Sequence, residues 1–244
     1  MTETKEKIYG IIGYDSRGKQ HVLNQQLSYE ERKRIMDAIG RMEEALLALD
    51  YYYIVKGNFR ELQEKLCCAS DRQGFYRKLN RHLFNLLDSF YVYIKEYERF
   101  FKNTPLRDRF TSIKRNLYNK NLEYRMLYQL RNYSLHYRLP VDVEQEHAYL
   151  NPGRMLHSYG QWQKDFVQDL MTLQEDGQKI ELLKLAQEGE GFFETMQYQF
   201  FTLMFEWVKN DINLVAEHLC VENGQIQPTV IVDRASNEIV RDIA

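Results

Sequence analysis

The stretch that decides the fold spans residues 71–102 and reads DRQGFYRKLNRHLFNLLDSFYVYIKEYERFFK. Apolar side chains recur along it every three or four positions, which places them on one face of an α-helix. These positions are Leu79, Leu83, Leu86, Leu87, Phe90, Ile94, Tyr97 and Phe101. A long helix with one apolar stripe must bury that stripe against other elements, so the stretch predicts a bundle of helices.

The composition agrees with a globular helical chain. Only 4 Pro and 12 Gly occur in 244 residues, so few positions interrupt a helix. Hydrophobic residues make up 44% and the mean hydropathy is −0.59, which excludes a disordered chain and a membrane protein. No apolar run approaches the ~18 residues of a bilayer span. The odd count of 3 Cys and the polar first residues predict a cytoplasmic protein with no membrane contact.

The first predicted helix begins at Ser28. The sequence SYEE at residues 28–31 fits a capping box, in which serine and glutamate satisfy each other's backbone amides. We expect the helix to reach about Lys56, to end or kink at residues 57–58, and to continue to Cys67.

A third helix is predicted after the break at residues 103–105. Thr104 as N-cap and Pro105 in the first turn favour a helix start there. The apolar spacing carries this helix through Ser134, and it must end before Pro140, since the residue preceding a proline avoids the α region.

The rest of the chain is predicted to be helical with two β-hairpins. Irregular chain is expected at 141–160 with a turn at 151–153, then helices at 162–173, 179–187 and 192–219 with breaks at 176–177 and 189–191. Hairpins are expected at 8–23 and at 219–232 around Asn223-Gly224, possible neighbours in one small sheet. The predicted fold class is an all-α bundle of long antiparallel helices with a small β appendage from these hairpins. The predicted division is a hairpin segment over 1–27, a helical domain over 28–219 and a C-terminal β-hairpin or tail over 220–244.

Charge is spread unevenly along the chain. The net charge is −2, yet residues 104–138 carry 8 basic and 2 acidic side chains, and residues 141–244 carry 7 and 18. This basic segment can attract a polyanion. Alternatively, its charges lie on a solvated helix face or pair with the acidic final third.

The stretch most informative about function is YQLRNYSLHYRLP at residues 128–140. Arg131 offers a permanent charge whose fork matches phosphate oxygens, and His136 titrates near neutral pH and can move a proton. Asn132 can orient a hydroxyl or the imidazole. This set suits attack of an RNA 2′-hydroxyl on the adjacent phosphate without a metal. The same spacing at Arg77 and His82 lies within a helix body, and we interpret that pair as structural or solvated.

Arg131 and His136 do not share a face of a straight helix. Five positions rotate ~500°, which leaves the two side chains about 140° apart. They converge only where the last turn loosens before Pro140, or where a twofold partner supplies a second copy.

The motif resembles that of the HEPN superfamily, the higher-eukaryote and prokaryote nucleotide-binding domains. Their ribonuclease members carry an arginine and a histidine at this spacing late in a helix of an α-bundle. The resemblance implies a homodimeric endoribonuclease in which Arg131 and His136 are catalytic and Asn132 is supporting. It also implies a bacterial toxin, abortive-infection or antiphage-defence role, with an antitoxin or regulatory partner.

Several further residues are predicted to contact RNA because they lie beside the motif or in the basic segment. They are Tyr133, Tyr137, Arg138, Arg125 and Lys120. No Cys/His set has metal-ligand spacing, so neither a metal nor a cofactor is predicted. The alternatives are a non-catalytic helical module that binds RNA, a nucleotide or a protein partner, and a purely structural bundle.

Overall fold

The computed structural model describes residues 9–14, 17, 19–67, 72–135, 137, 141–144, 147–218, 220–222, 225–227, 229–233 and 238–242. Most of these residues are helical, as predicted. The helices are α1 (Tyr29–Cys67), α2 (Arg72–Phe101), α3 (Arg107–Lys120), α4 (Leu122–Ser134), α5 (Pro152–Ser158), α6 (Lys164–Glu175) and α7 (Leu182–Ala216). The strands are β1 (Tyr9–Tyr14), β2 (Gln20–Leu27), β3 (Val141–Glu144), β4 (His147–Leu150), β5 (Ile180–Glu181), β6 (Cys220–Glu222), β7 (Gln225–Gln227), β8 (Thr229–Asp233) and β9 (Glu238–Asp242).

The chain divides into two compact units, residues 1–46 with 204–244, and residues 47–203. Helices α1 and α7 each contribute residues to both units. The first unit therefore groups the start of α1 with the strands at either end of the sequence. The division at 27/28 and 219/220 stays a prediction.

The first unit is built on a four-stranded antiparallel sheet with the order β2-β1-β8-β9. The hairpin predicted at 8–23 is present, and β2 extends it to Leu27. The second predicted hairpin is present as β6 and β7, but its long second arm is divided into β7 and β8. Strand β8, which lies in that second arm, pairs with β1 and sets Tyr9 opposite Asp233, so this arm joins the N-terminal hairpin in one sheet as expected. The core of this unit contains Ile11, Leu27, Ile35, Ala38, Ile39, Val215 and Ile231.

Helix α1 begins with the predicted capping box. The Ser28 backbone amide donates to Glu31 Oε2 at 2.8 Å, and the Glu31 amide donates to Ser28 Oγ at 3.2 Å. The end predicted at residues 57–58 is wrong, because α1 continues to Cys67, and the kink stays a prediction. Val55 and Phe59 are fully buried on either side of Gly57. Such packing outweighs the ~1 kcal/mol that a glycine costs inside a helix.

The single helix predicted from residue 104 to Ser134 is also wrong. The chain forms α3 and α4, which meet at Asn121 in an extended conformation with φ −120° and ψ 116°. Asn121 Nδ2 donates to the Leu117 carbonyl at 2.7 Å, and Arg125 Nη1 donates to the Tyr118 carbonyl at 2.8 Å. These side chains satisfy carbonyls at the end of α3 and stabilise the break. Leu106, rather than Thr104, is the N-cap of α3.

The region predicted as irregular, 141–160, holds β3, β4 and α5, and β5 completes a three-stranded sheet. Its predicted turn is a helix start, since Asn151 Oδ1 accepts from the Arg154 amide at 3.1 Å and Pro152 lies in the first turn. The break predicted at 189–191 is absent, and α7 is continuous. A Cβ at Gly189 would lie 3.2 Å from Phe59 Cε1, so this glycine permits close approach of α1 and α7.

The second unit has an aromatic core. Its largest buried side chains are Phe59, Phe90, Tyr93, Tyr97, Phe101, Tyr124, Phe166, Phe193 and Phe200. The hydroxyls of Tyr93 and Tyr97 both donate to Gln197 Oε1, at 2.7 and 3.1 Å. Across the part of the chain that the structure describes, no helix is both long and apolar enough to traverse a bilayer.

Candidate nucleic-acid site

The predicted motif lies at the C-terminal end of α4. The helix ends at Ser134, before Pro140 as predicted, and Ser134 Oγ donates to the Arg131 carbonyl at 2.8 Å. One further helical hydrogen bond runs from the Tyr137 amide to the Tyr133 carbonyl at 3.0 Å.

Arg131 is held against α2 by an aromatic ring and a weak ion pair. Its Cζ lies 3.9 Å from the centroid of the Tyr91 ring. Its Nε and Nη2 both lie 3.4 Å from the same oxygen, Oδ1 of Asp88. Charge-assisted contacts of this kind are normally about 2.7–2.9 Å, and the Asp88 side chain is 47% exposed. The guanidinium is therefore well positioned but incompletely neutralised.

Arg125, the other half-buried arginine of this helix, has a different environment. Its Nε and Nη2 donate to the two carboxylate oxygens of Asp169 at 2.6 and 3.1 Å. Its Nη1 donates to the carbonyls of Tyr118 and Asn119. All three guanidinium nitrogens are hydrogen-bonded within the protein, so the predicted RNA contact of Arg125 does not fit this geometry. Arg125 joins α4 to α6 and caps α3.

The two tyrosines of the motif are placed differently. Tyr133 is 4% exposed, stacks on Trp162 with centroids 5.2 Å apart, and donates to Ser158 Oγ at 3.1 Å. Its ring is enclosed by the protein, so a predicted base contact does not fit Tyr133 either. Tyr137 is 48% exposed, and its ring stacks on the Tyr133 ring with centroids 5.2 Å apart. Tyr133 thus supports an exposed aromatic ring, which lies with Tyr159 and Trp162 rather than with the α2 residues that contact Arg131.

The remaining predicted residues are partly separated from this site. Asn132 is half-buried in the last turn of α4, next to Arg131. Lys120 is exposed at the end of α3, and roughly 14 Å of helix separate the start of α4 from Arg131. His136 and Arg138 lie outside the described residues, and their roles stay predictions.

The second match to the motif has a structural environment. Arg77 is exposed in the body of α2. His82 Nδ1 lies 3.2 Å from Glu61 Oε2, although the contact lacks hydrogen-bond alignment. Of the two, only His82 faces α1, whereas Arg77 is exposed to solvent, which agrees with their interpretation as structural or solvated.

The basic segment is partly neutralised by carboxylates from two sources. Arg125 pairs with Asp169 of the acidic final third, as one sequence alternative proposed. Lys114 instead donates to Glu98 Oε1 of α2 at 2.5 Å. Burial alone would raise the pKa of Glu98, but hydrogen bonds from Lys114 and Lys95 outweigh it and lower that pKa. These two carboxylates neutralise only part of the positive charge of the basic segment, and the remaining charge can attract another anion.

Beside the ion pair of Glu98 the structure contains a cleft that sequence reasoning missed. Its volume is about 230 Å³, and it is lined by Ile94, Glu98, Lys114, Arg115, Tyr118, Tyr124, Tyr128 and Gln163. We call it the tyrosine cleft. Five of the 18 tyrosines fall within residues 104–138, and this local enrichment is the sequence feature that could have indicated an aromatic cleft.

Comparison of the chain with protein-family models, with curated proteins and with solved structures gives no match.

The described residues offer a definite but limited chemistry. Arg131 can bind an anion, and the exposed ring of Tyr137 can stack on a planar group. Among the residues that the structure covers, no group of three or more His, Cys, Asp or Glu side chains is arranged to hold a metal ion.

Proposed function

We propose that this protein is a metal-independent endoribonuclease of the HEPN type. Arg131 binds the scissile phosphate, His136 transfers a proton, and Asn132 orients the reacting groups. Two copies of the chain form a homodimer in which both motifs serve one RNA. The expected setting is the bacterial cytoplasm, in antiphage defence or as a toxin restrained by an antitoxin or regulatory partner.

The environment of Arg131 is the observation that carries this proposal. The Tyr91 ring fixes the guanidinium plane, while Asp88 holds it through one oxygen at 3.4 Å. A phosphate can offer two oxygens at shorter distance and so compete with this carboxylate. The exposed ring of Tyr137, six residues further along the chain, offers a second face on which a base can stack.

The reaction balances without a cofactor. The 2′-oxygen attacks the adjacent phosphorus as a base accepts the hydroxyl proton, and the bond from phosphorus to the 5′-oxygen breaks as an acid protonates that oxygen. The products are a 2′,3′-cyclic phosphate and a 5′-hydroxyl. Arg131 neutralises the charge that grows on the non-bridging oxygens, and His136 supplies one of the two proton transfers.

The proposal is tested by incubating end-labelled RNA and DNA of the same sequence with the protein in EDTA. We expect cleavage of RNA alone, leaving 2′,3′-cyclic phosphate ends. His136→Ala and Arg131→Ala should abolish cleavage with unchanged circular dichroism. Arg77→Ala is the matched control, because Arg77 has the same spacing to a histidine but lies elsewhere on α2.

Two outcomes would contradict the proposal. RNA that stays intact with the wild-type protein would exclude nuclease activity under these conditions, and equal cleavage of DNA would exclude attack by a 2′-hydroxyl. RNA that is bound but not cut, with binding lost in Arg131→Ala, would instead indicate the non-catalytic module.

A further inference from the structure

We infer that the tyrosine cleft binds one base of single-stranded RNA, next to the phosphate held by Arg131. This inference rests on the proposed function, because it takes the strand at Arg131 as its starting point. It adds a subsite for the substrate outside the predicted motif, built from α2, α3, α4 and the residue before α6.

A continuous aromatic surface leads from Arg131 to the cleft. The Arg131 guanidinium lies over the Tyr91 ring, and the Tyr91 ring contacts Tyr128 with centroids 5.8 Å apart. Tyr128 is one of the cleft's lining residues. One cation–π contact and one ring contact thus connect the proposed phosphate site to the cleft, so one short oligonucleotide can occupy both.

The dimensions of the cleft favour a single planar group. Its volume of about 230 Å³ lies below the ~300–1,000 Å³ of pockets that hold drug-sized ligands. The rings of Tyr118 and Tyr128 meet nearly at right angles, 88°, with centroids 6.2 Å apart. A base can therefore stack on one ring while its edge meets the other. Every base has such a face, which makes this kind of contact tolerant of sequence.

Hydrogen-bonding groups line the same cleft. Gln129 Nε2 donates to the Tyr118 hydroxyl at 2.9 Å, and that hydroxyl donates to Gln163 Oε1 at 2.5 Å. The side-chain oxygen of Gln163 is occupied by the Tyr118 hydroxyl. The amide nitrogen of Gln163 is therefore the group that can donate to a base edge. Burial raises the pKa of Tyr118 and of Tyr128, so both phenols stay neutral at physiological pH and do not repel a phosphate.

Cations at the rim of the cleft fit the RNA backbone. Lys114 and Lys95 both bond to Glu98, at 2.5 and 2.7 Å, so this carboxylate is neutralised where it lines the cleft. Arg115 is exposed at the rim. Aromatic faces combined with an excess of positive charge are typical of single-stranded nucleic-acid sites, because the rings stack on bases and the cations bind the phosphates.

The test separates binding from cleavage by using a 2′-O-methyl oligoribonucleotide, which lacks the attacking hydroxyl. A fluorescein-labelled 2′-O-methyl oligomer is titrated with the 244-residue chain in EDTA, and its anisotropy is recorded. We expect Arg115→Glu and Tyr128→Leu each to weaken binding about 10-fold. Arg60→Glu is the matched control, because Arg60 is an exposed arginine on α1 that does not line the cleft. It should change binding less than about 2-fold.

The outcomes distinguish this inference from the proposed function. Wild-type affinity in both Arg115→Glu and Tyr128→Leu would overturn the cleft assignment, even if ordinary RNA is still cut. Loss of affinity in both variants, with ordinary RNA left intact by the wild-type protein, would support the cleft and contradict the nuclease. If Tyr128→Leu fails to fold, Arg115→Glu alone decides, because its side chain is exposed.

Discussion

Replacement of Asp88 by asparagine should strengthen RNA binding. In the free protein the Asp88 carboxylate contacts Arg131 through one oxygen at 3.4 Å. A bound phosphate would compete with that carboxylate for the guanidinium and would also be repelled by it. Asparagine keeps the size of the side chain and removes the charge, so the competition is lost.

The size of the effect follows from the exposure of the pair. The Asp88 side chain is 47% exposed and that of Arg131 is 20% exposed. Exposed ion pairs of this kind contribute about 0.2–1 kcal/mol, which corresponds to roughly a 1.4- to 5-fold tighter dissociation constant. The gain should shrink as salt is raised from about 50 to 200 mM, since screening weakens both contacts.

The assay is the anisotropy titration with the 2′-O-methyl oligomer, accompanied by initial cleavage rates on ordinary RNA at low substrate concentration. Asp169→Asn is the matched control. Asp169 accepts hydrogen bonds from Arg125 through both carboxylate oxygens, and neither residue belongs to the Arg131 motif. It should lower stability by about 2 kcal/mol without tightening RNA binding. Binding weakened more than about 5-fold in Asp88→Asn would show that the carboxylate positions Arg131 rather than competing for it, and would refute the reasoning.

Three further predictions concern stability and can be measured by urea unfolding followed by circular dichroism. Ser28→Ala removes the capping box and should destabilise the protein by about 1 kcal/mol, whereas no loss would mean that the cap is not needed. Gly57→Ala, with nothing within 4 Å of the added Cβ, should stabilise by about 0.5–1 kcal/mol. Gly189→Ala meets Phe59 at 3.2 Å and should lack that gain, and equal gains at both glycines would contradict the close packing. The pKa of Glu98 is lowered, so its contribution is complete above its ordinary pKa of 4.5 and is lost as the pH falls through the lowered value. Glu98→Gln should therefore show a smaller loss of stability than the wild type on acidification, and identical pH profiles would exclude this linkage.

Features that depend on local sequence were predictable. The apolar stripe of α2 places its own residues on one face, and the serine and glutamate of the α1 cap lie only three positions apart. The breaks were not predictable in this way. Arg125 reaches back to the last carbonyls of α3 and stabilises an interruption that the helical periodicity does not show. At Gly189 the partner that favours a glycine, Phe59, is distant in sequence.

The candidate site shows the same limit. Arg131 and Asn132 could be proposed from residue type and spacing, because both lie in the motif itself. Tyr91 and Asp88 could not, since nothing in α2 indicates that α4 packs an arginine against them. The enclosed position of Tyr133 results from Trp162, which a chain segment after α5 supplies. Only tertiary structure distinguishes the enclosed ring of Tyr133 from the exposed ring of Tyr137.

The pairing of β1 with β8 has a consequence for how the protein folds. These strands are separated by almost the whole described chain, so their contact closes a very long loop and carries a large entropic cost. During synthesis, the helices of residues 47–203 leave the ribosome before β8 exists. Their local contacts can form early. The β1–β2 hairpin, in contrast, has an unpaired β1 edge until β8 has been synthesised.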